Sequence, residues 1–352
     1  MRTIVLTGGG TAGHVTPNIA IIPKLLEDGW TIKYIGSKEG IEKELIEKVN
    51  IPYYGISSGK LRRYFTLKNI KDPFKVIAGF FEAYKLLSKL KPKVVFSKGG
   101  YVSVPVVLAA KSLKIPVIIH ESDITPGLAN KIASRGASRI CVNFPETLKY
   151  VGPKGILTGT PIREDLFKGN KEAGQKIGEF HDKKPILMVM GGSLGSVKVN
   201  ESLRKSLENL LKNFNVIHIC GKGNVDESLK DVKGYKQFEY VGDELPHIFA
   251  ATDIMLSRAG ANALAEIVAL SIANVLIPLS KEASRGDQIL NAQSMEKQGY
   301  SEVIQEEELT AELLTDTINR VYTNREFYEN TMKENKKNDG TKNVMSLINE
   351  YK

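Results

Sequence analysis

Residues 3–14 read Thr3-Ile4-Val5-Leu6-Thr7-Gly8-Gly9-Gly10-Thr11-Ala12-Gly13-His14, and residues 185–196 read Pro185-Ile186-Leu187-Met188-Val189-Met190-Gly191-Gly192-Ser193-Leu194-Gly195-Ser196. Each is a short apolar run that breaks into glycines ahead of a helix-compatible segment. Such a turn lets backbone N–H groups and a helix N-terminus approach a phosphate with no side chain in the way. Its presence once in each half of the chain implies two Rossmann-like domains facing one phosphorylated ligand.

Outward from the first turn, apolar runs at 3–6, 31–35, 94–97, 117–120, 139–142 and 156–158 alternate with helix-compatible segments at 17–27, 41–49 and 104–112. Outward from the second, runs at 186–190, 216–220, 237–241, 254–257 and 275–279 alternate with segments at 199–211 and 261–270. This βαβ rhythm predicts an α/β protein with two parallel sheets, each covered on both faces. A length of 352 residues suits two cores better than one. Thr158-Gly159-Thr160-Pro161-Ile162-Arg163 punctuates the pattern, so the expected domains are 1–160 and 161–335, joined by a hinge. The segment 336–352 is expected to be helical and to cross back onto the first domain.

Hydrophobic residues at 42% and charged residues at 25% describe a packed globular protein and exclude disordered and fibrous classes. The net charge of +9 favours anionic partners. The sequence lacks the interleaved basic and aromatic surface of an RNA module, so no nucleic acid is expected. Cys141 and Cys220, each in an apolar run, read as buried thiols of a reducing cytoplasm. The five histidines lack paired metal-ligand spacing, so neither a metal nor a cofactor is expected. No charged leader precedes the first strand, and the longest uncharged stretch, 267–280, is too short to span a bilayer.

Gly8, Gly10 and Gly13 fit G-x-G-x-x-G, but the second strand ends Tyr34-Ile35-Gly36-Ser37-Lys38 without the acid that a dinucleotide ribose wants. His14 follows the turn, where the positive end of a helix dipole keeps an imidazole neutral and available as a base. A third glycine turn, Ser97-Lys98-Gly99-Gly100-Tyr101-Val102-Ser103, places Tyr101 where its ring or hydroxyl can meet a sugar. His120-Glu121-Ser122-Asp123 crowds four polar groups at the carboxyl end of a strand, where α/β sheets bind ligands. In the second half Ser257-Arg258-Ala259-Gly260 leads into a small-residue helix carrying Glu266, an acid that can accept both hydroxyls of a ribose. Asp287-Gln288 can cap the next helix or hold sugar hydroxyls.

Taken together, residues 8–14, 99–103, 120–123, 191–195 and 258–266 resemble, in order and spacing over nearly the whole chain, glycosyltransferase family 28, whose members include the UDP-N-acetylglucosamine transferases of peptidoglycan synthesis. The resemblance implies a GT-B fold with the active site in the interdomain cleft. It implies transfer of N-acetylglucosamine, with inversion, from UDP to the C4 hydroxyl of undecaprenyl-diphosphate-linked muramoyl-pentapeptide (lipid I to lipid II). That is a step of cell wall biogenesis on which cell shape and division depend. Thr11, Ala12 and Gly13 would lie at the sugar end of the donor, Ser193 at its diphosphate, Glu266 at the ribose and Gln288 at the N-acetylglucosamine hydroxyls. Val241 would meet the uracil through its backbone, and Asn130, Arg163, Asn200 and Arg258 fall at matching polar positions. His14 is the expected general base, with Asp123 and Glu121 as rivals; many relatives carry Asn where this chain has Asp123. The loop 280–286 departs from the pattern of some relatives.

A lipid acceptor implies a membrane. Lys60-Leu61-Arg62-Arg63-Tyr64-Phe65 leads into Leu67, Ile70, Phe74, Ile77 and Phe81 at three- and four-residue spacing, flanked by Lys68, Lys71 and Lys75. That stripe reads either as core or as a peripheral contact with the anionic cytoplasmic leaflet of the cell membrane. The competing functions are another nucleotide-sugar enzyme of the same fold (a glycolipid synthase or a UDP-N-acetylglucosamine 2-epimerase) and a non-catalytic sensor.

Overall fold

The structure, a computed structural model, describes residues 2–59, 71–192, 195–281, 286–334 and 339–352. It divides into two compact units, Met1–Arg163 with Asn338–Lys352, and Glu164–Lys337. In the N-terminal unit the strands are β1 (Arg2–Thr7), β2 (Trp30–Ser37), β3 (Tyr53–Ile56), β4 (Val94–Ser97), β5 (Val117–Glu121), β6 (Arg139–Val142) and β7 (Gly155–Leu157). They form one parallel sheet in the order β3-β2-β1-β4-β5-β6-β7. The C-terminal unit contributes β8 (Ile186–Met190), β9 (Asn215–Ile219), β10 (Tyr235–Phe238), β11 (Ile254–Ser257), β12 (Asn274–Leu276) and β13 (Glu302–Val303), also parallel, in the order β10-β9-β8-β11-β12-β13.

Both sheets reverse direction of growth at one place, between β1 and β4 in the first and between β8 and β11 in the second. A crevice opens outside the carboxyl ends of the strands at such a switch point, and ligands of open α/β sheets bind there. All four strands bordering the two switch points end in the sequences singled out above: the turns after β1, β4 and β8, and Arg258–Gly260 after β11.

The core of the N-terminal unit shows why the sheet is covered on both sides. Alternate residues of a strand point to opposite faces. Ile4 and Leu6 of β1 join Ile32, Tyr34, Phe96 and Ile118 on one face, against Ile21, Ile22 and Leu25 of the helix Thr16–Glu27. Val5 joins Ile35, Val95, Val117, Ile119 and Val142 on the other, against Ala83 and Leu87 of the helix Lys71–Leu90 and Val106, Val107 and Ala110 of the helix Ser103–Ser112. Both Cys141 and Cys220 are buried free thiols.

The helix Gly340–Asn349 completes the first face, adding Val344, Met345, Leu347 and Ile348 to the β1 side of the core. Asp339 caps it by accepting from the Lys342 N–H. Its polar side chains fasten it: Asn343 Nδ2 donates to the Thr158 carbonyl at 3.0 Å, the Ile162 N–H donates to Thr341 Oγ1 at 3.2 Å, and Trp30 Nε1 donates to Asn349 Oδ1 at 3.1 Å. The segment after Gly159 is thereby held by the last helix of the chain.

Two expected strands shift. The run 275–279 stops at Leu276, because Pro278 has no N–H for a ladder and Arg258 takes the carbonyls of Ile277 and Pro278. The run 237–241 begins earlier and ends at Phe238. Ile348 is fully buried and Lys342 exposed. Replacing Ile348 by Ala is therefore expected to cost about 2–5 kcal/mol, seen as a lower urea midpoint, whereas Lys342→Ala leaves the midpoint within experimental error.

Candidate functional site

In the N-terminal unit the first glycine turn is fastened from behind. Tyr34 Oη donates to the Gly8 carbonyl at 2.8 Å, and Asn18 Nδ2 donates to the Thr7 carbonyl at 3.2 Å. Glu42, fully buried in the first turn of the helix Ile41–Lys48, accepts from the Gly10 N–H at 3.1 Å, from the Ser37 N–H at 3.2 Å and from the Ser37 hydroxyl. No acid stands at the end of β2 where a dinucleotide ribose would want one; the acid comes five residues after Ser37 and turns onto the glycine turn. Its signal was a lone Glu in Gly40-Ile41-Glu42, at the start of a helix.

Two turns interlock here. Gly10 has φ +88°, and a Cβ on it would sit 2.6 Å from the Tyr101 ring. Gly100 has φ +80°, and a Cβ on it would collide with the Gly9 carbonyl. Only glycine fits either place. Tyr101 thus walls the first turn with its ring, and burial raises its hydroxyl pKa. Thr11 is exposed and Ala12, Gly13 and His14 are half-buried; Thr11 Oγ1 lies 2.9 Å from His14 Nδ1.

The end of β5 divides its polar groups. His120 is fully buried with Nε2 2.9 Å from the Gly159 carbonyl, and burial holds it neutral, far below the ordinary imidazole pKa. Since a carbonyl only accepts, Nε2 carries the proton. Glu121 is buried with both oxygens occupied: one accepts from the Asp123 N–H at 3.1 Å, the other from Asn130 Nδ2 at 2.8 Å and the Gly127 N–H at 3.2 Å. Burial raises its pKa. Glu121 and Asn130 therefore shape the loop, while Asp123 stays half-buried at its surface, as does Arg163 at the end of the 158–163 segment.

In the C-terminal unit Ser193 and Leu194 lie outside the described residues. The flanking Gly191, Gly192, Gly195 and Ser196 line a cavity of about 440 Å³ together with Lys198, Arg258, Gln288 and Glu306. Ser196 caps the helix Val197–Asn213, accepting from the Val199 N–H at 3.4 Å. The Arg258 guanidinium is buried and fully directed: Nη1 donates to the carbonyls of Ile277 at 3.1 Å and Pro278 at 3.2 Å, and Nη2 donates to Ser196 Oγ at 2.6 Å and to Glu306. Glu306 also accepts from the Ser280 N–H at 3.2 Å. Burial alone would raise the Glu306 carboxyl, but the hydrogen bond and charge of Arg258 outweigh it and hold the pKa below the usual value. Sequence reading missed Glu306, which no motif marks. Gln288, which lines the same cavity, accepts from the Leu279 N–H at 3.0 Å through Oε1.

Other expected residues stand apart from that cavity. Asn200 is buried: Nδ2 donates to the Cys220 carbonyl at 2.9 Å and Oδ1 accepts from His218 Nε2 at 2.9 Å, so it ties the helix to β9. Val241 is buried after β10, and Glu266 is half-buried on the helix Ala261–Leu270. Among the described residues no three His, Cys, Asp or Glu side chains gather where they could hold a metal ion.

The arrangement presents glycine-turn amides, a helix N-terminus, Lys198 and a buried arginine around one cavity, a set suited to a diphosphate. Residues 4–142 match the N-terminal domain of glycosyltransferase family 28 and residues 186–347 its C-terminal domain. A UDP-N-acetylglucosamine–N-acetylmuramyl-(pentapeptide) pyrophosphoryl-undecaprenol N-acetylglucosamine transferase of Clostridium perfringens is 61% identical over 346 residues, covering 98% of this chain and 97% of that one. A protein of the same name from Clostridium botulinum is 58% identical over 352 residues, covering 100% and 99%. Among solved structures, MurG of Acinetobacter baumannii superposes with a TM-score of 0.77 at 27% identity, covering 99% of this chain and 100% of that one. The UDP-GlcNAc 2-epimerase of Neisseria meningitidis, at 15% identity and a TM-score of 0.69 over 100% and 99%, is alike in fold alone. With both domains of one family matched in order, and relatives this similar spanning both units, the chain belongs to glycosyltransferase family 28.

Proposed function

We propose that this protein transfers N-acetylglucosamine from UDP-N-acetylglucosamine to the C4 hydroxyl of undecaprenyl-diphosphate-linked muramoyl-pentapeptide, the reaction for which its 58–61% identical relatives are named. The observation that carries the reading is the cavity of the C-terminal unit, whose amides, helix N-terminus and Arg258–Glu306 pair are built before any ligand arrives. Fixed dipoles aimed at a diphosphate offset the charge that grows on departing UDP. Ser193 falls between Gly192 and Gly195 in the sequence, and we assign it to the diphosphate. Gln288 is placed at the N-acetylglucosamine hydroxyls, Glu266 at the ribose, and Val241 at the uracil through its backbone. Asn200 and Arg258 act on the donor by fixing the turn and helix that meet it.

The N-terminal unit takes the acceptor and supplies the base. In the tautomer whose Nδ1–H donates to Thr11, His14 Nε2 carries the lone pair that a base needs. His14 takes the proton as the acceptor oxygen attacks C1 of the sugar; the C1–O bond to UDP breaks, UDP leaves with the electron pair, and the configuration inverts. Thr11, Ala12 and Gly13 border the sugar, and Tyr101 backs the turn. Asp123 is the second candidate base. Glu121, Asn130 and Arg163 shape its surroundings.

The helix Lys71–Leu90 supports a peripheral membrane contact. Phe74, Ile77, Phe81 and Tyr84 are exposed at 70, 54, 65 and 40% along one stripe, beside exposed Lys75 and Lys85, so this part of the stripe is surface rather than core. Its continuation at 60–70 lies outside the described residues. Among the described residues no helix is long and apolar enough to cross a membrane. Aromatics beside lysines suit the acidic cytoplasmic leaflet, where the lipid acceptor would be met.

UDP release is expected only when a short-chain analogue of the lipid acceptor accompanies UDP-N-acetylglucosamine, and His14→Ala is expected to slow it by about 10²–10⁴-fold. Release without acceptor would favour an epimerase or hydrolase, and release undiminished in His14→Ala would move the base to Asp123. Sedimentation with anionic liposomes is expected to fall sharply in the Phe74→Glu, Phe81→Glu protein, and unaltered sedimentation would refute the membrane face.

A further inference from the structure

Lys98 follows β4 directly and is buried, with only 2% of its surface exposed, an unusual place for an ammonium. Its N–H donates to the Thr7 carbonyl at 2.9 Å, continuing the β1–β4 ladder, and its Cβ lies 3.2 Å from where a Cβ on Gly8 would sit. Its side chain therefore runs under the first glycine turn at the switch point. Nζ donates to Ser122 Oγ, on the loop after β5. Charged and titratable groups face it from β5 and its loop, namely His120, Glu121 and Asp123, and from β6, namely Cys141. One lysine thus touches the first glycine turn, begins the turn after β4, and grips the loop that carries Asp123.

A hydroxyl is a poor sole partner for a buried ammonium, which keeps its charge here through the two nearby carboxylates. Glu121 has both oxygens committed to loop N–H groups and to Asn130. Asp123 is the carboxylate at the loop surface.

We propose that Lys98 is a positioning residue of the transfer reaction: held by Ser122, it locks the 121–123 loop to the two glycine turns and supplies the positive charge beside Asp123, fixing where the acceptor meets His14. This rests on the transferase reading above. Burial pushes the Lys98 ammonium down to about 8, against the pull of Glu121, Asp123 and Cys141. The lock is charged at neutral pH and loses its charge as pH rises through that value, so the rate should fall on the alkaline side.

The test measures kcat, KM and the pH profile of acceptor-dependent UDP release, with UDP affinity by calorimetry, for the parent, Lys98→Met, Lys98→Arg and Ser122→Ala. The parent is expected to lose rate above about pH 8. Lys98→Met should lower kcat at neutral pH by about 10²-fold and abolish that alkaline limb, with UDP affinity unchanged because the nucleotide cavity lies in the other unit. Lys98→Arg should recover part of kcat and carry the limb out of range. Ser122→Ala, the smaller change should Lys98→Met fail to fold, should move the limb to lower pH, because the lost hydrogen bond had favoured the charged amine. A Lys98→Met protein with the parent's kcat and alkaline limb, or a Ser122→Ala protein with the parent's profile, would overturn the role of Lys98 while leaving the transferase intact. A parent that releases no UDP with the acceptor would overturn the transferase reading itself.

Discussion

Backbone amides can hold a phosphate only if the turn that presents them is fixed, and a glycine turn has no side chains with which to fix itself. Glycine loses more conformational freedom on folding than any other residue, so such a turn must be braced from neighbouring elements. Here the braces are buried charges. Glu42 receives the Gly10 and Ser37 N–H groups in the N-terminal unit; Arg258 and Glu306 fasten Ser196 and the carbonyls after β12 in the C-terminal unit. A buried charge is tolerated only with its partners in place, so removing one member of the Arg258–Glu306 pair would strand the other.

The strand order shared by the six-stranded sheet and the first six strands of the seven-stranded one places these braced turns at equivalent switch points. What differs is the chemistry set around them. The C-terminal cavity is lined by glycine-turn backbone, Lys198 and the Arg258–Glu306 pair, a lining that suits a nucleoside diphosphate. On the N-terminal side Lys98 is buried beneath the loop that carries Asp123, and His14 follows the first glycine turn; in the reading proposed above these groups serve proton removal from a hydroxyl. The outer helix of that unit adds an apolar, lysine-flanked face. On the proposed reading, one fold used twice yields a leaving-group site and an acceptor site.

Much of this was legible in the residues, because glycine turns after apolar runs report backbone geometry directly. The strands beside both switch points were readable for that reason. The edge strand β3, Tyr53-Tyr54-Gly55-Ile56, was not, since it is half-exposed and interrupted by glycine, and β13 is only two residues long. Glu42, Glu306 and Lys98 escaped notice because a brace is defined by what it touches across the fold, and no local pattern marks it. Asn200 read as a ligand contact because its position matched, yet its amide is spent on Cys220 and His218. The periodicity of Phe74, Ile77 and Phe81 is the same for a core stripe and a surface stripe; only packing distinguishes them, and it leaves these side chains outside.

The division of labour between the two braced turns is open to a direct measurement, the affinity for UDP by titration calorimetry of the Glu306→Gln and Glu42→Gln proteins beside the parent. UDP bound about tenfold or more weakly by Glu306→Gln, with the affinity of Glu42→Gln unchanged, is the expected result. Parent-like affinity in Glu306→Gln, or an equal loss in both, would contradict a nucleotide site built on the Arg258–Glu306 pair.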